Sequence, residues 1–390
     1  MLAALLVAAL AAPAQTAEPA RGQVVDPVVC RGNNGQTYAL YLPSTYTPDR
    51  EWPVLFLFDP GGRGGPAVER YRPAAEAYGF IVAASNNSRN GQASGPAVDA
   101  MSGDVFARFK VDMKRIYVGG MSGGARVAMA VALGSSKVAG VIASSASYPD
   151  GQRRDTLPFP VFATAGTEDF NHLEMRLFDR DLKTPHHLAI FEGGHVWPTS
   201  EMATQAVEWL EIQAMRDKKK PRDQKEIDRL FAKRTAAIAA GAAAKDTKDA
   251  KDGDLEGEYL ALKSLVADFD GLENVSSYAK RAVALAGDKR VKDALAKDDD
   301  EDAREEKLNG AVADAEDHLE TARNEAARQA ALGELRERWR ALSEQANAPT
   351  DSTERRLARR VLTGLSAGGA QTTDADYLAI IREYRMGRGR

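Results

Sequence analysis

Gly120-Met121-Ser122-Gly123-Gly124 has residue types and a spacing that could do chemistry. The apolar run Ile116-Tyr117-Val118 precedes it, and a helix-like stretch of Ala, Val and Met follows. A serine between small residues, at the junction of a strand and a helix, fits G-x-S-x-G. Small residues are needed because the turn is cramped, and a β-carbon on either flank would collide with the neighbouring chain. Such a turn lifts the serine oxygen to the top of a sheet, with a helix N-terminus behind it to favour negative charge. Five residues alone are a short pattern. Their meaning depends on an acid and a histidine elsewhere.

A serine hydroxyl attacks well only when a base takes its proton and an acid holds that base in one tautomer. The chain has five histidines. His172 opens a helix-like stretch, His186 and His187 open a strand, and His318 lies on a charged helical face. Only His195, in Phe191-Glu192-Gly193-Gly194-His195-Val196-Trp197-Pro198, occupies a glycine-rich loop directly after a strand. The acid is Asp169 in Ala165-Gly166-Thr167-Glu168-Asp169-Phe170-Asn171, with the adjacent Glu168 as the alternative.

A tetrahedral intermediate also needs donors for its oxyanion. The backbone N–H of Gly123, next after the serine, is one. The second is expected from Gly61, Gly62 or Arg63, in the loop after the strand Val54–Phe58. Arg63, Asn86, Asn87, Met121 and Trp197 are candidates for lining a substrate pocket. This chemistry requires no metal and no organic cofactor.

The 390 residues suffice for two domains, and a net charge of −4 gives no reason to expect nucleic acid as a partner. Residues 1–20 begin with an apolar run ending in Ala12-Pro13-Ala14, which reads as a secretory signal peptide cleaved near Ala14. The run is shorter than a membrane span needs, and no later segment spans either. An exported, periplasmic or secreted protein is expected, with an uncleaved N-terminal anchor as the alternative. Cys30 is the only cysteine, so no intramolecular disulfide can form.

Strands alternate with helices from Gln36 to Met215, which predicts a mostly parallel sheet covered on both faces (residues 21–215). Ligand sites in such sheets lie beyond the carboxyl ends of the strands, where each motif above falls. A basic linker with a proline follows at 216–222. Residues 223–390 are rich in Ala, Glu, Asp, Lys and Arg, and predict a charged, all-helical domain. Within it 245–254 reads as a loop and 297–302 as a charged turn. Leu308, Val312, Ala315, Leu319, Ala322 and Ala326, then Leu335, Trp339, Leu342 and Ala346, form an apolar stripe suited to a small bundle.

Taken together, PVLFLFDPGGRG, RIYVGGMSGGARVAMA, GTEDFNH and GGHVWP resemble the α/β-hydrolase superfamily over about Gln23–Met215. Within it the chain is similar to secreted esterases of the polyhydroxybutyrate depolymerase, feruloyl esterase and dienelactone-hydrolase-like groups. The resemblance implies the α/β-hydrolase fold over that span, followed by the all-α C-terminal domain that composition predicts. It also implies a Ser122-Asp169-His195 triad in the superfamily's order and a small or polymeric carboxylic ester as substrate. Two features depart from the pattern. Asp59 stands where many relatives carry histidine, and Ser122 replaces the cysteine of dienelactone hydrolases proper. A peptidase of prolyl-oligopeptidase type is the enzyme alternative. From another class comes a helical scaffold that binds a protein or envelope partner beside a vestigial hydrolase domain.

Overall fold

The computed structural model describes residues 19–243, 255–368 and 372–384. The signal peptide with its cleavage site and the loop at 245–254 lie outside the described residues, except for the last two residues of the leader. No helix among the described residues is long and apolar enough to cross a membrane.

One eight-stranded sheet organises the first half, in the order β1-β2-β4-β3-β5-β6-β7-β8. Its strands are β1 (Val24–Cys30), β2 (Asn33–Tyr41), β3 (Trp52–Phe58), β4 (Ile81–Ser85), β5 (Val111–Met121), β6 (Val138–Ser144), β7 (Val161–Gly166) and β8 (His186–Phe191). The first two pair antiparallel, β2 joins β4 antiparallel, and every later pairing is parallel. The inner strands read as unbroken apolar runs because both faces are covered; β3, β4, β6 and β7 are buried at every residue. One face packs on α2 (Gly95–Arg108), α3 (Gly123–Gly134) and α4 (His172–Asp181) through Met101, Val105, Met129, Met175 and Phe178. The other packs on α1 (Gly64–Tyr78) and α5 (Ser200–Arg216) through Val68, Tyr71, Val207 and Leu210. This is the α/β-hydrolase architecture that the motifs implied. Cys30 is a buried free thiol.

The second half is helical: α6 (Gln224–Ala243), α7 (Leu255–Phe269), α8 (Ser276–Gly287), α9 (Lys289–Glu320), α10 (Glu325–Ala346), α11 (Thr353–Gly368) and α12 (Ala375–Tyr384). The apolar stripe works as a bundle core, in which Val312 and Ala315 meet Leu335, Trp339, Leu342, Val361 and Ile380. The charged turn expected at 297–302 is not there, because α9 runs straight through it. Arg176 of α4 pairs with Asp298 and Asp302 at 3.2 and 3.1 Å, which offsets part of the repulsion among the acids of that stretch.

The two halves are not beads on a string. Ile212 and Met215 of α5 share one core with Ile227, Leu230, Leu265 and Phe269 of the helical half. Returning such side chains to water costs about 1.5–3 kcal/mol each. Polar links reinforce the seam: Trp209 Nε1–H donates to Asp268 at 2.7 Å, and Arg234 pairs with the same carboxylate at 2.9 Å.

Candidate active site

Ser122 sits between β5 and α3 with φ +55° and ψ −126°. A β-branched or bulky residue would resist that conformation, and even serine holds it at a cost of about 1–3 kcal/mol. The surroundings enforce it. Ser122 N–H donates to Ser144 O at 2.8 Å, and Ser122 O accepts from the N–H groups of Ala125 and Arg126 at 2.9 and 3.2 Å. The flanking glycines have a steric reason. A β-carbon on Gly120 would run into the Gly124 carbonyl, and one on Gly124 into the carbonyl of Phe58 on the next strand. The G-x-S-x-G spacing is therefore the footprint of three backbones crossing at one point.

His195 and Asp169 lie on two loops stitched together at their roots. Thr167 N–H donates to Phe191 O at 2.9 Å and Glu168 N–H to Gly193 O at 2.8 Å. That seam turns His195 toward the serine. Ser122 Oγ lies 2.7 Å from His195 Nε2, and His195 Nδ1 lies 2.8 Å from Asp169 Oδ1. The carboxylate can only accept, so Nδ1 carries the proton and Nε2 is left as an acceptor facing the Ser122 hydroxyl. Asp169 is fully buried. Burial alone would raise its carboxyl, yet the His195 hydrogen bond and charge, with Ser145 and the Asn171 N–H, hold it below the usual carboxylate range. Glu168 turns the other way, onto Arg359 of α11 at 2.8 Å.

The expected second oxyanion donors are not free. Gly61 N–H donates to Asp59 Oδ1 at 2.8 Å, Arg63 N–H to the same oxygen at 3.3 Å, and Gly62 N–H to Asp59 O at 3.0 Å. Asp59 also binds the Arg63 guanidinium at 3.0 Å and Trp197 Nε1–H at 2.8 Å. The carboxylate that stands where histidine was expected thus folds the glycine loop in on itself. The pocket candidates are committed in similar ways. Asn86 accepts from Gly64 N–H and donates to Asp26, Asn87 accepts from Thr37 N–H, and Met121 is buried at the end of β5. Arg63 and Trp197 brace Asp59, and Trp197 also lies edge-on to Tyr71.

Two residues beside Ser122 and His195 carry no sequence signal of their own. Phe170 stacks on the His195 imidazole with ring centroids 3.9 Å apart and planes 28° apart. Asn90 lies against Gly123 with its Oδ1 foremost: a β-carbon there would run into that oxygen and would also meet Cγ at 2.7 Å and Nδ2 at 2.9 Å. Only a glycine at 123 leaves room for it.

The helical half closes over the acid loop. Arg360 of α11 donates through Nε to Thr167 O at 2.7 Å and pairs with the buried Glu305 of α9 at 2.8 Å. Gly364 packs on Phe170, where a β-carbon would lie 3.3 Å from Phe170 Cβ. His172, one turn beyond Asp169, is buried and donates Nδ1–H to Gly166 O at 2.9 Å. Burial, with Arg360 nearby, pushes its pKa down to about 3. An unfolded histidine binds its proton near pH 6.5, so between those values the unfolded chain holds more protons and stability must fall as pH falls. His172→Gln keeps a donor and removes the titration. Urea unfolding at several pH values between 6 and 4 should show a shallower slope in this variant, by up to about 1.4 kcal/mol per pH unit. Equal slopes would assign the acid sensitivity elsewhere.

No protein-family model matches the chain, and no curated protein matches it. Several solved structures resemble it at a distance. A feruloyl esterase module from Clostridium thermocellum, complexed with sinapinate, is 15% identical with a TM-score of 0.40, over 50% of this chain and 91% of that one. Thermogutta terrifontis esterase 2, phosphorylated by paraoxon, is 19% identical with a TM-score of 0.37, over 48% and 92%. Porphyromonas gingivalis dipeptidyl peptidase 4 is 16% identical with a TM-score of 0.35, over 48% and 35%. At such distances they say nothing about the substrate.

Proposed function

We propose that the protein is an exported serine hydrolase that cleaves carboxylic esters through an acyl-enzyme. The observation that carries this reading is the continuous chain from Ser122 Oγ to His195 Nε2 and from His195 Nδ1 to Asp169, at 2.7 and 2.8 Å. In the proposed cycle His195 takes the Ser122 proton as the oxygen bonds to the ester carbonyl carbon. The protonated His195 then donates to the departing alcohol oxygen as the C–O bond breaks. Water, deprotonated by the same nitrogen, attacks the acyl-enzyme and releases the acid and Ser122. Asp169 stabilises the imidazolium without itself taking the proton. Export rests on the N-terminal apolar run.

Cleavage of esters rather than of peptides from a free amino terminus is favoured by the fate of the nearby acids. A peptide amine needs an unpaired carboxylate, whereas Glu168 is held by Arg359 and Glu192 accepts from Thr167 at 3.1 Å. The shared core of the two halves argues against a detachable scaffold. Labelling with a fluorophosphonate probe tests the reading. Wild type should label and Ser122→Ala should not; absence of label on the wild type, or equal label on both, would end it.

A further inference from the structure

The proposed reaction leaves one hydrogen bond unaccounted for. A tetrahedral oxyanion is held by at least two donors, aimed where the charge develops. Gly123 N–H, at the N-terminus of α3, supplies the first. In the glycine loop Pro60 has no N–H, and the N–H groups of Gly61, Gly62 and Arg63 all point to Asp59. Gly64 N–H is spent on Asn86 Oδ1 at 3.0 Å. Ser122 N–H is spent on Ser144. The usual backbone source of a second donor is closed from end to end.

One polar side chain lies against Gly123, that of Asn90. The loop that carries it is held down at three points. Asn90 N–H donates to Pro60 O at 2.9 Å, Gln92 N–H to Arg89 O at 3.2 Å, and Arg89 Nη2 to Asn86 O at 3.3 Å. Gly62 packs under the same loop, where a β-carbon would meet Asn86 O at 2.7 Å and Arg89 Nε at 2.8 Å. The carboxamide of Asn90 is solvent-exposed and, among the described residues, committed to no other hydrogen bond. Its Oδ1 is the atom nearest Gly123, and half a turn about Cβ–Cγ exchanges oxygen and nitrogen, which puts the N–H₂ in that place.

We propose that Asn90 is a catalytic residue whose carboxamide N–H is the second oxyanion donor, acting with the backbone N–H of Gly123. On this view Asp59 and Asn90 are two parts of one substitution. The buried carboxylate takes the glycine-loop donors out of use, and the neighbouring loop supplies a side-chain donor in their place. The inference rests on the serine-hydrolase reading.

The experiment compares wild type, Asn90→Ala and Asn90→Asp as full-length proteins on a short-chain p-nitrophenyl ester, with thermal unfolding measured alongside. Loss of one such donor lowers turnover by about 10²–10³. Asn90→Ala should show that fall in kcat with KM changed less than about threefold, and with Tm unchanged. Asn90→Asp has nearly the same shape but presents an acceptor at neutral pH, so it should lose at least as much. Affinity for a trifluoromethyl ketone that forms a tetrahedral adduct should fall by the same factor as kcat. An Asn90→Ala enzyme within threefold of wild type overturns the inference, as does an Asn90→Asp enzyme near wild-type turnover, which would make the side chain a packing element. Absence of both turnover and fluorophosphonate label in the wild type would instead defeat the hydrolase reading.

Discussion

Alanine in place of Ser122 or of His195 is expected to lower kcat by about 10⁶, and replacing both should cost little more than replacing either. The reason is mechanical. Nε2 has no other partner in the proposed attack than the Ser122 hydroxyl at 2.7 Å, and that hydroxyl has no other base. Groups that act as one unit lose their effect together, so their separate losses do not multiply. Asp169→Asn should be milder, about 10⁴, because an amide at that position favours the wrong imidazole tautomer while leaving the attacking oxygen in place. Residual ester turnover of the three single variants and the Ser122→Ala/His195→Ala double variant checks this. Multiplicative losses would mean that the serine and histidine work independently, and the triad would not be the reacting unit.

The second large effect is expected far from the serine in sequence. Arg360→Met should destabilise the whole protein by about 3–5 kcal/mol, since it strands Glu305 without its partner in a buried site. Burial already pushes the Glu305 carboxyl up, and the Arg360 charge opposes it. Without Arg360 that group must be protonated or hydrated in place. The same substitution frees the Thr167 carbonyl, two residues before Asp169. Residual folded enzyme should therefore show a lower kcat as well. Replacing both partners by apolar residues, Arg360→Met with Glu305→Leu, should recover most of the stability, because an uncompensated charge and not the pair itself is the expensive state. It should not recover the kcat, because the Thr167 contact is still missing. Urea midpoints and ester turnover across the three variants separate the two roles. A stable Arg360→Met protein with full turnover would show that α11 merely rests on the hydrolase half.

Much of the site is legible in one dimension because each motif answers a local need. Gly120 and Gly124 are small where backbones cross, Gly193 and Gly194 let a loop turn back on β7, and Ser122, Asp169 and His195 each follow a strand end. Periodicity likewise marks α9 and α10 through Leu308, Val312, Leu335 and Trp339. Residues 297–302 misled, since five acids in a row look like a turn until Arg176 arrives from α4 to neutralise two of them.

What the sequence by itself determined was the sheet, its covering helices, the candidate pair Ser122 and His195, and an acid narrowed to Asp169 or Glu168. These follow from strand and helix periods and from steric limits that act within a few residues. Only the tertiary structure decided between Asp169 and Glu168, because neighbours on one loop differ only in which way they face, and Arg359 claims one of them. It alone turned Asp59 inward on the glycine loop, set Asn90 against Gly123 and Phe170 against His195, and locked α11 onto the acid loop. Apart from the turn of Asp59 on its own loop, each of those pairings joins chain segments whose separation in sequence carries no trace of contact. Hydrogen bonds and close packing between such segments are chosen by the assembled fold.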